Sequence, residues 1–185
     1  MPYDILFTSF DIWLPHHTEN SGDRLLANLQ RHDRLPPASL LVRKLPVDTQ
    51  QALVEVFDRL RRFRPQWAIC CGMAESRTRL TVEGRATCGD RSQQNPVNVL
   101  SLVSGLPMTD ASYHAGNFVC NDFYYRMLSE IRHRNLPTQC IFVHVPLLTE
   151  ENRDTIEAAF LEICRRSIEK SVDIHRRSID AKVST

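Results

Sequence analysis

The chain has 185 residues, with 23 Lys and Arg against 22 Asp and Glu and a formal charge of +1. That length suits one hydrophobic core, and the balanced charge excludes a general attraction to nucleic acid or anionic membrane, so a small or neutral partner is expected. No apolar run reaches the roughly 18 residues of a membrane span, and Met1-Pro2-Tyr3-Asp4-Ile5-Leu6-Phe7 is not a secretory leader, which predicts a cytoplasmic protein whose six cysteines are mostly free thiols.

In chain order, Asp4-Ile5-Leu6-Phe7-Thr8 reads as a strand, Asp11 to Asn20 as a long loop, and Ser21 to Leu29 as a helix with leucines at helical spacing. Ser39 to Leu45 is strand-like and stopped by Pro46; Thr49 to Phe63 carries Leu53, Val54, Val56, Phe57 and Leu60 on one apolar face. Gln66 to Gly72 is a mostly apolar run, as expected of a strand buried on both faces of a parallel sheet. Arg79 to Gly84 alternates polar and apolar, predicting a half-exposed strand or edge hairpin, and the polar stretch Cys88 to Asn95 predicts a loop. Val97 to Val103 reads as a short helical turn. Its apolar residues, with those up to Leu106, are candidates for a homo-oligomer contact.

A helix is expected to start near Cys120 and run through Asp122 to Leu128. Thr138 to Pro146 reads as another buried strand, and Glu150 to about His175 as a closing helix. Strands alternating with helices predict a three-layer α/β/α sandwich around a mostly parallel twisted sheet, in one domain over residues 1–178 with a frayed tail over 179–185. Neither GxxxxGK[ST] nor GxGxxG is present, so nothing points to a nucleotide cofactor.

The chemistry-bearing residues lie where strands hand over to helices. Cys120 sits at a helix start, where unpaired N–H groups and the helix dipole favour a thiolate, so its pKa is expected below the free value of about 8.5. His144 stands near the end of its strand and Glu83 at the end of another, and ligands in open α/β sheets gather at such ends. Meeting on one rim, they can act as nucleophile, general base and orienting acid, with backbone N–H groups near Cys120 as an oxyanion hole. Singly, each has a plainer reading: a packed thiol, a hydrogen-bonded structural histidine, a solvated charge.

In order along the chain, Leu45-Pro46-Val47, Gly72-Met73-Ala74-Glu75-Ser76-Arg77-Thr78-Arg79-Leu80-Thr81-Val82-Glu83, Ser112 to Asn121 and Phe142-Val143-His144-Val145-Pro146 resemble segments of the pyroglutamyl-peptidase I family, over roughly Asp4 to Glu150. The resemblance implies a thiol omega peptidase, without cofactor, that removes an N-terminal pyroglutamyl residue through a Cys120, His144 and Glu83 triad and an acyl-enzyme. It also implies aromatic walls at Phe118, Phe10 and Trp13, further substrate contacts at Asn20 and Val119, and an oxyanion-facing cation at Arg91.

The sequence departs from the family in its first loop, Phe10-Asp11-Ile12-Trp13-Leu14-Pro15-His16-His17, and in Gly84 and Cys88. The stretch from Glu83 to Cys120 is also shorter. Loop loss spares a fold more readily than a specificity. The alternatives to a peptide substrate are therefore a different small acyl amide, or a non-catalytic binding homologue. His16, His17, His114, Cys88 and Cys120 fit no zinc spacing, and adjacent histidines in a polar loop are expected to be solvated, so no metal is expected.

Overall fold

The computed structural model describes residues 4–183, with side chains as far as Lys170. Six strands form one sheet in the order β2 (Ser39–Leu45), β1 (Ile5–Phe10), β3 (Trp67–Met73), β8 (Gln139–Val145), β4 (Leu80–Glu83), β7 (Thr109–Ser112). All neighbours run parallel except β4 and β8, which are antiparallel. Two further strands, β5 (Arg85–Cys88) and β6 (Arg91–Gln94), pair as a separate antiparallel hairpin.

The two-residue period of each strand sorts side chains to opposite faces. Ile5 and Phe7, Trp67 and Ile69, Leu80 and Val82, and Ile141, Val143 and Val145 face one way. They pack against α1 (Ser21–Arg31), α3 (Val99–Val103) and α5 (Arg153–Val183). Leu6, Ala68, Cys70, Cys140 and Phe142 face the other way, against α2 (Thr49–Phe63) and α4 (Val119–His133). This is the expected three-layer sandwich, with a mixed, mostly parallel sheet.

Helix starts are fixed by side chains that satisfy otherwise orphaned amides. Asn20 caps α1 through Gly22 and Asp23, Asp48 caps α2 through Gln51, and Asn98 caps α3 through Ser101. Phe118, at the cap of α4, has no such side-chain bond.

Four expectations are corrected. β4 is wholly buried rather than half-exposed, because it lies inside the sheet between β8 and β7. The polar stretch after Glu83 is a hairpin rather than a loop: Asn121 of α4 exchanges hydrogen bonds with the Thr87 backbone at 2.8 Å each way, and Gln93 bonds Ser129. β7 was not anticipated, having little apolar content to mark it. The apolar residues proposed for an oligomer contact are mostly core: Val97, Val99, Leu102 and Val103 are buried, while Leu100 is exposed. The last helix continues to Val183, past the end expected near His175; residues 184 and 185 of the expected tail lie outside the described residues. Among the described residues, no helix is long and apolar enough to cross a membrane.

Candidate active site

Register brings the acid to the base. In the antiparallel pair of β4 and β8, Thr81 lies opposite His144 and Glu83 opposite Phe142, so Glu83 and His144 project from the same face on a diagonal. Because β4 runs against β8, Glu83 does not share the carboxyl-end rim with His144. It reaches the ring from deeper in the sheet, where it is fully buried. The link is a 2.8 Å hydrogen bond between His144 Nδ1 and Glu83 Oε1.

The same oxygen accepts from Arg77 Nη1 at 2.5 Å; that guanidinium also bonds Thr81 and, at 2.8 Å, the His114 carbonyl. Glu83 is further fixed by its own carbonyl, which accepts from the buried Tyr124 hydroxyl at 2.8 Å, itself held by Asn95. Glu83 Oε2 is buried without a partner among the described residues.

Burial pushes the Glu83 carboxyl up, but hydrogen bonding and charge attraction from His144, with help from Arg77, hold it below the ordinary range, so it is ionised at neutral pH. Burial likewise lowers His144, outweighing the pull of Glu83 in the other direction, so the ring is neutral. An ionised carboxylate only accepts, which places the ring proton on Nδ1 and leaves Nε2 as a lone pair.

Cys120 lies in the first turn of α4, in the layer facing His144, Glu83 and Cys70. The point where it meets the sheet is Gly72, which pairs with His144 across β3 and β8. A Cβ on Gly72 would lie 2.8 Å from Cys120 Sγ and 2.9 Å from Phe142 Cζ. The missing side chain is therefore the seat of the sulfur. Gly72→Ala is expected to cost about 1–3 kcal/mol through overpacking and to lower turnover at least tenfold by displacing the sulfur, measured by denaturant midpoint and steady-state kinetics.

The expected low thiol pKa is corrected. Burial pushes Cys120 up to about 12; its own backbone amide and Arg77 favour the thiolate, and Glu83 and Cys70 oppose it. Desolvation outweighs the helix start. No hydrogen bond joins Cys120 to His144 among the described residues, although both line one cavity of about 450 Å³, a size suited to a small ligand. Val119 and Cys120 line this cavity, and their N–H groups donate to no other residue among those described, whereas those of Asn121 and Asp122 are taken by the Phe118 carbonyl.

The cavity gathers Phe10, Trp13, Asn20, Phe118 and Val119, as expected, but in different capacities. Phe10 is a buried wall set edge-on to Phe123. Asn20 spends its amide oxygen on capping α1, and its Nδ2 lies 3.4 Å from the Asp11 carbonyl, so it shapes the loop. Trp13 and Phe118 are exposed and lean on each other, with centroids 5.3 Å apart. A flat ring held between them needs about 7 Å, twice the carbon contact distance, so the wall must part to admit one.

Arg91 does not belong to this cavity. The hairpin, anchored to α4 through Thr87, carries it into a separate groove between α2 and α4 beside Cys88 and Arg126. The cation at the site is Arg77. Its signal in the sequence was only a position in the turn before Glu83, two residues past Glu75.

Comparison with known proteins agrees with this fold. A family model described as pyroglutamyl peptidase matches residues 96–183, which include Cys120 and His144 but not Glu83. A pyrrolidone-carboxylate peptidase of Brachyspira hyodysenteriae is 26% identical over 175 residues, covering 80% of this chain and 86% of that protein. One from Bacillus thuringiensis is 24% identical over 199 residues, covering 92% and 91%. Among solved structures, pyroglutamyl peptidase I of Bacillus amyloliquefaciens superposes with a TM-score of 0.77 at 19% identity, over 90% of this chain and 97% of that one. Pyrrolidone carboxyl peptidase of Thermococcus litoralis gives 0.78 at 18% identity, over 94% and 96%. With matches to a family model over residues 96–183, to relatives over most of their length and to the fold, the chain is similar to the pyroglutamyl and pyrrolidone-carboxylate peptidases.

Proposed function

We propose that this protein removes an N-terminal pyroglutamyl residue from peptides, with Cys120 as nucleophile, His144 as general base and acid, and Glu83 as the group that orients the ring. The observation that carries the reading is the 2.8 Å bond from His144 Nδ1 to the buried, ionised Glu83, beside a cysteine seated on Gly72. Such a bond leaves Nε2 ready to take a proton.

A resting thiol of high pKa and a neutral imidazole favour a general-base step over a preformed ion pair. Nε2 takes the thiol proton as sulfur attacks the pyroglutamyl carbonyl, and the oxyanion accepts from the free amides of Val119 and Cys120. The imidazolium, stabilised by Glu83, then gives its proton to the leaving amine. Water repeats the sequence on the thioester: His144 takes its proton, hydroxyl replaces sulfur at the carbonyl, and the proton returns to the thiol. An uncharged lactam ring suits the apolar faces of Phe10, Trp13 and Phe118.

A second reading, binding without catalysis, draws on the lack of a Cys120–His144 hydrogen bond and the closed Trp13–Phe118 pair. Apo sites are often looser than the reacting complex, so the first reading is preferred. The deciding measurement is dye release from a panel of pyroglutamyl, prolyl, alanyl and acetyl amides. Turnover of the pyroglutamyl amide at least tenfold above the rest is expected. Folded protein that turns over none of them would overturn the enzyme reading, and preference for another acyl group would overturn the substrate.

A further inference from the structure

We propose that His16, His17 and Glu75 form a binding site for a divalent transition-metal cation of the zinc class at the mouth of the Cys120 cavity. The three side chains come from two loops: the one after β1 supplies both histidines, and the β3–β4 turn supplies the carboxylate. One ligand atom from each lies within 4.8 Å of the others. His17 Nε2 is 3.1 Å from one oxygen of Glu75, and His16 Nε2 is 3.8 Å from the other. A tetrahedral zinc with bonds of about 2.0–2.2 Å separates its donors by about 3.3–3.6 Å, so shifts of about 1 Å complete the set. Two imidazoles and a carboxylate are also a donor set that zinc takes with a fourth position left open.

The surroundings favour a cation over a simple hydrogen-bonded pair. The histidines are not both solvated, as adjacent histidines in a polar loop are expected to be: the His17 side chain is only 7% exposed. Two rings converge on one carboxylate, with centroids 4.2 Å apart. No Lys or Arg among the described residues pairs with Glu75, since the nearby Arg77 is committed to Glu83. Bound there, the cation ties the Trp13 loop to the turn that carries Arg77, and holds Trp13 against Phe118.

The test uses the full chain with Cys120→Ser, which removes the thiol of the same cavity. Zn2+ is titrated against a chromophoric chelator, and Co2+ is followed by visible absorption. One equivalent is expected to bind, with nitrogen and oxygen ligand-field bands, no intense thiolate charge-transfer band, and a change in Trp13 fluorescence. Glu75→Gln and His17→Ala should each weaken binding at least tenfold. Glu75 is half-exposed, so its amide variant tests the site without disturbing the core. Absence of saturable binding, affinity unchanged in both variants, or a thiolate band would overturn the proposal. None of these readouts depends on peptidase activity.

Discussion

Replacing Cys120 by serine is expected to lower cleavage of a pyroglutamyl amide by a factor on the order of 10⁴ or more, while the protein stays folded. The substitution is nearly isosteric at the seat that Gly72 provides, so the loss reads out chemistry rather than packing. A hydroxyl is a far weaker nucleophile than a thiol, and either group would depend on His144 as its base. The pH profile of the wild-type protein should show the same dependence. With Nε2 required as a lone pair and burial lowering His144 below its ordinary 6.5, kcat/KM should be retained at pH 6.5 and lost only as pH falls through the lower His144 pKa. Iodoacetamide should alkylate resting Cys120 slowly at pH 7, in keeping with a thiol pushed up to about 12. Fast alkylation with an apparent pKa well below about 8.5 would show a preformed thiolate and overturn the general-base step. Full activity of the serine variant would remove Cys120 from the mechanism.

Glu83→Gln is the second large effect. Loss of the charge that fixes the imidazole tautomer and stabilises the imidazolium is expected to reduce kcat by about 10²–10⁴, with KM little changed, since Glu83 is buried behind the ring and touches no part of the cavity mouth. The substitution also strips Arg77 of its carboxylate partner. Breaking a buried pair costs about 3–5 kcal/mol; the Arg77 side chain is 24% exposed, so a smaller loss of about 1–3 kcal/mol is expected. Arg77→Met with Glu83→Gln should be more stable than the sum of the two single variants, because the uncompensated charge is then gone. Stopped-flow or steady-state kinetics and denaturant unfolding separate the two consequences. A Glu83→Gln variant with wild-type kcat would leave His144 without a functional orienter.

Much of the fold was legible because buried strands and amphipathic helices have distinct periods. Ser39–Leu45 and Thr49–Phe63 have the expected ends, and Cys120 does fall in the first turn of a helix. The misreading of β4 is physical. Thr81 and Glu83 look like a solvent face, but their face is the site itself, covered by α4 and Tyr124, so polar residues there mark chemistry rather than water. β5 and β6 were illegible because a single side chain, Asn121, supplies bonds to Thr87 that no pattern within the hairpin announces. The thiol pKa had the wrong sign for a related reason. A helix start is visible in the chain order, whereas desolvation by Gly72, Cys70 and Phe142 requires the packed layers. Arg91 follows from the resemblance, as the counterpart of a basic residue of that family, and the hairpin takes it elsewhere.

The placement of β4 also bears on when the site comes into being. Both its sheet neighbours, β7 and β8, follow it in the chain, and the bond from Glu83 to His144 closes a separation of 61 residues. A chain emerging from the ribosome carries the acid long before anything exists to receive it. Until residues 139–145 arrive and join β3, the Glu83 segment has no partner on that side. Long-range pairings of this kind form late. Under the proposed mechanism a partly made chain therefore holds the nucleophile without its base, and the bond from Glu83 to His144 forms only when β8 joins the sheet.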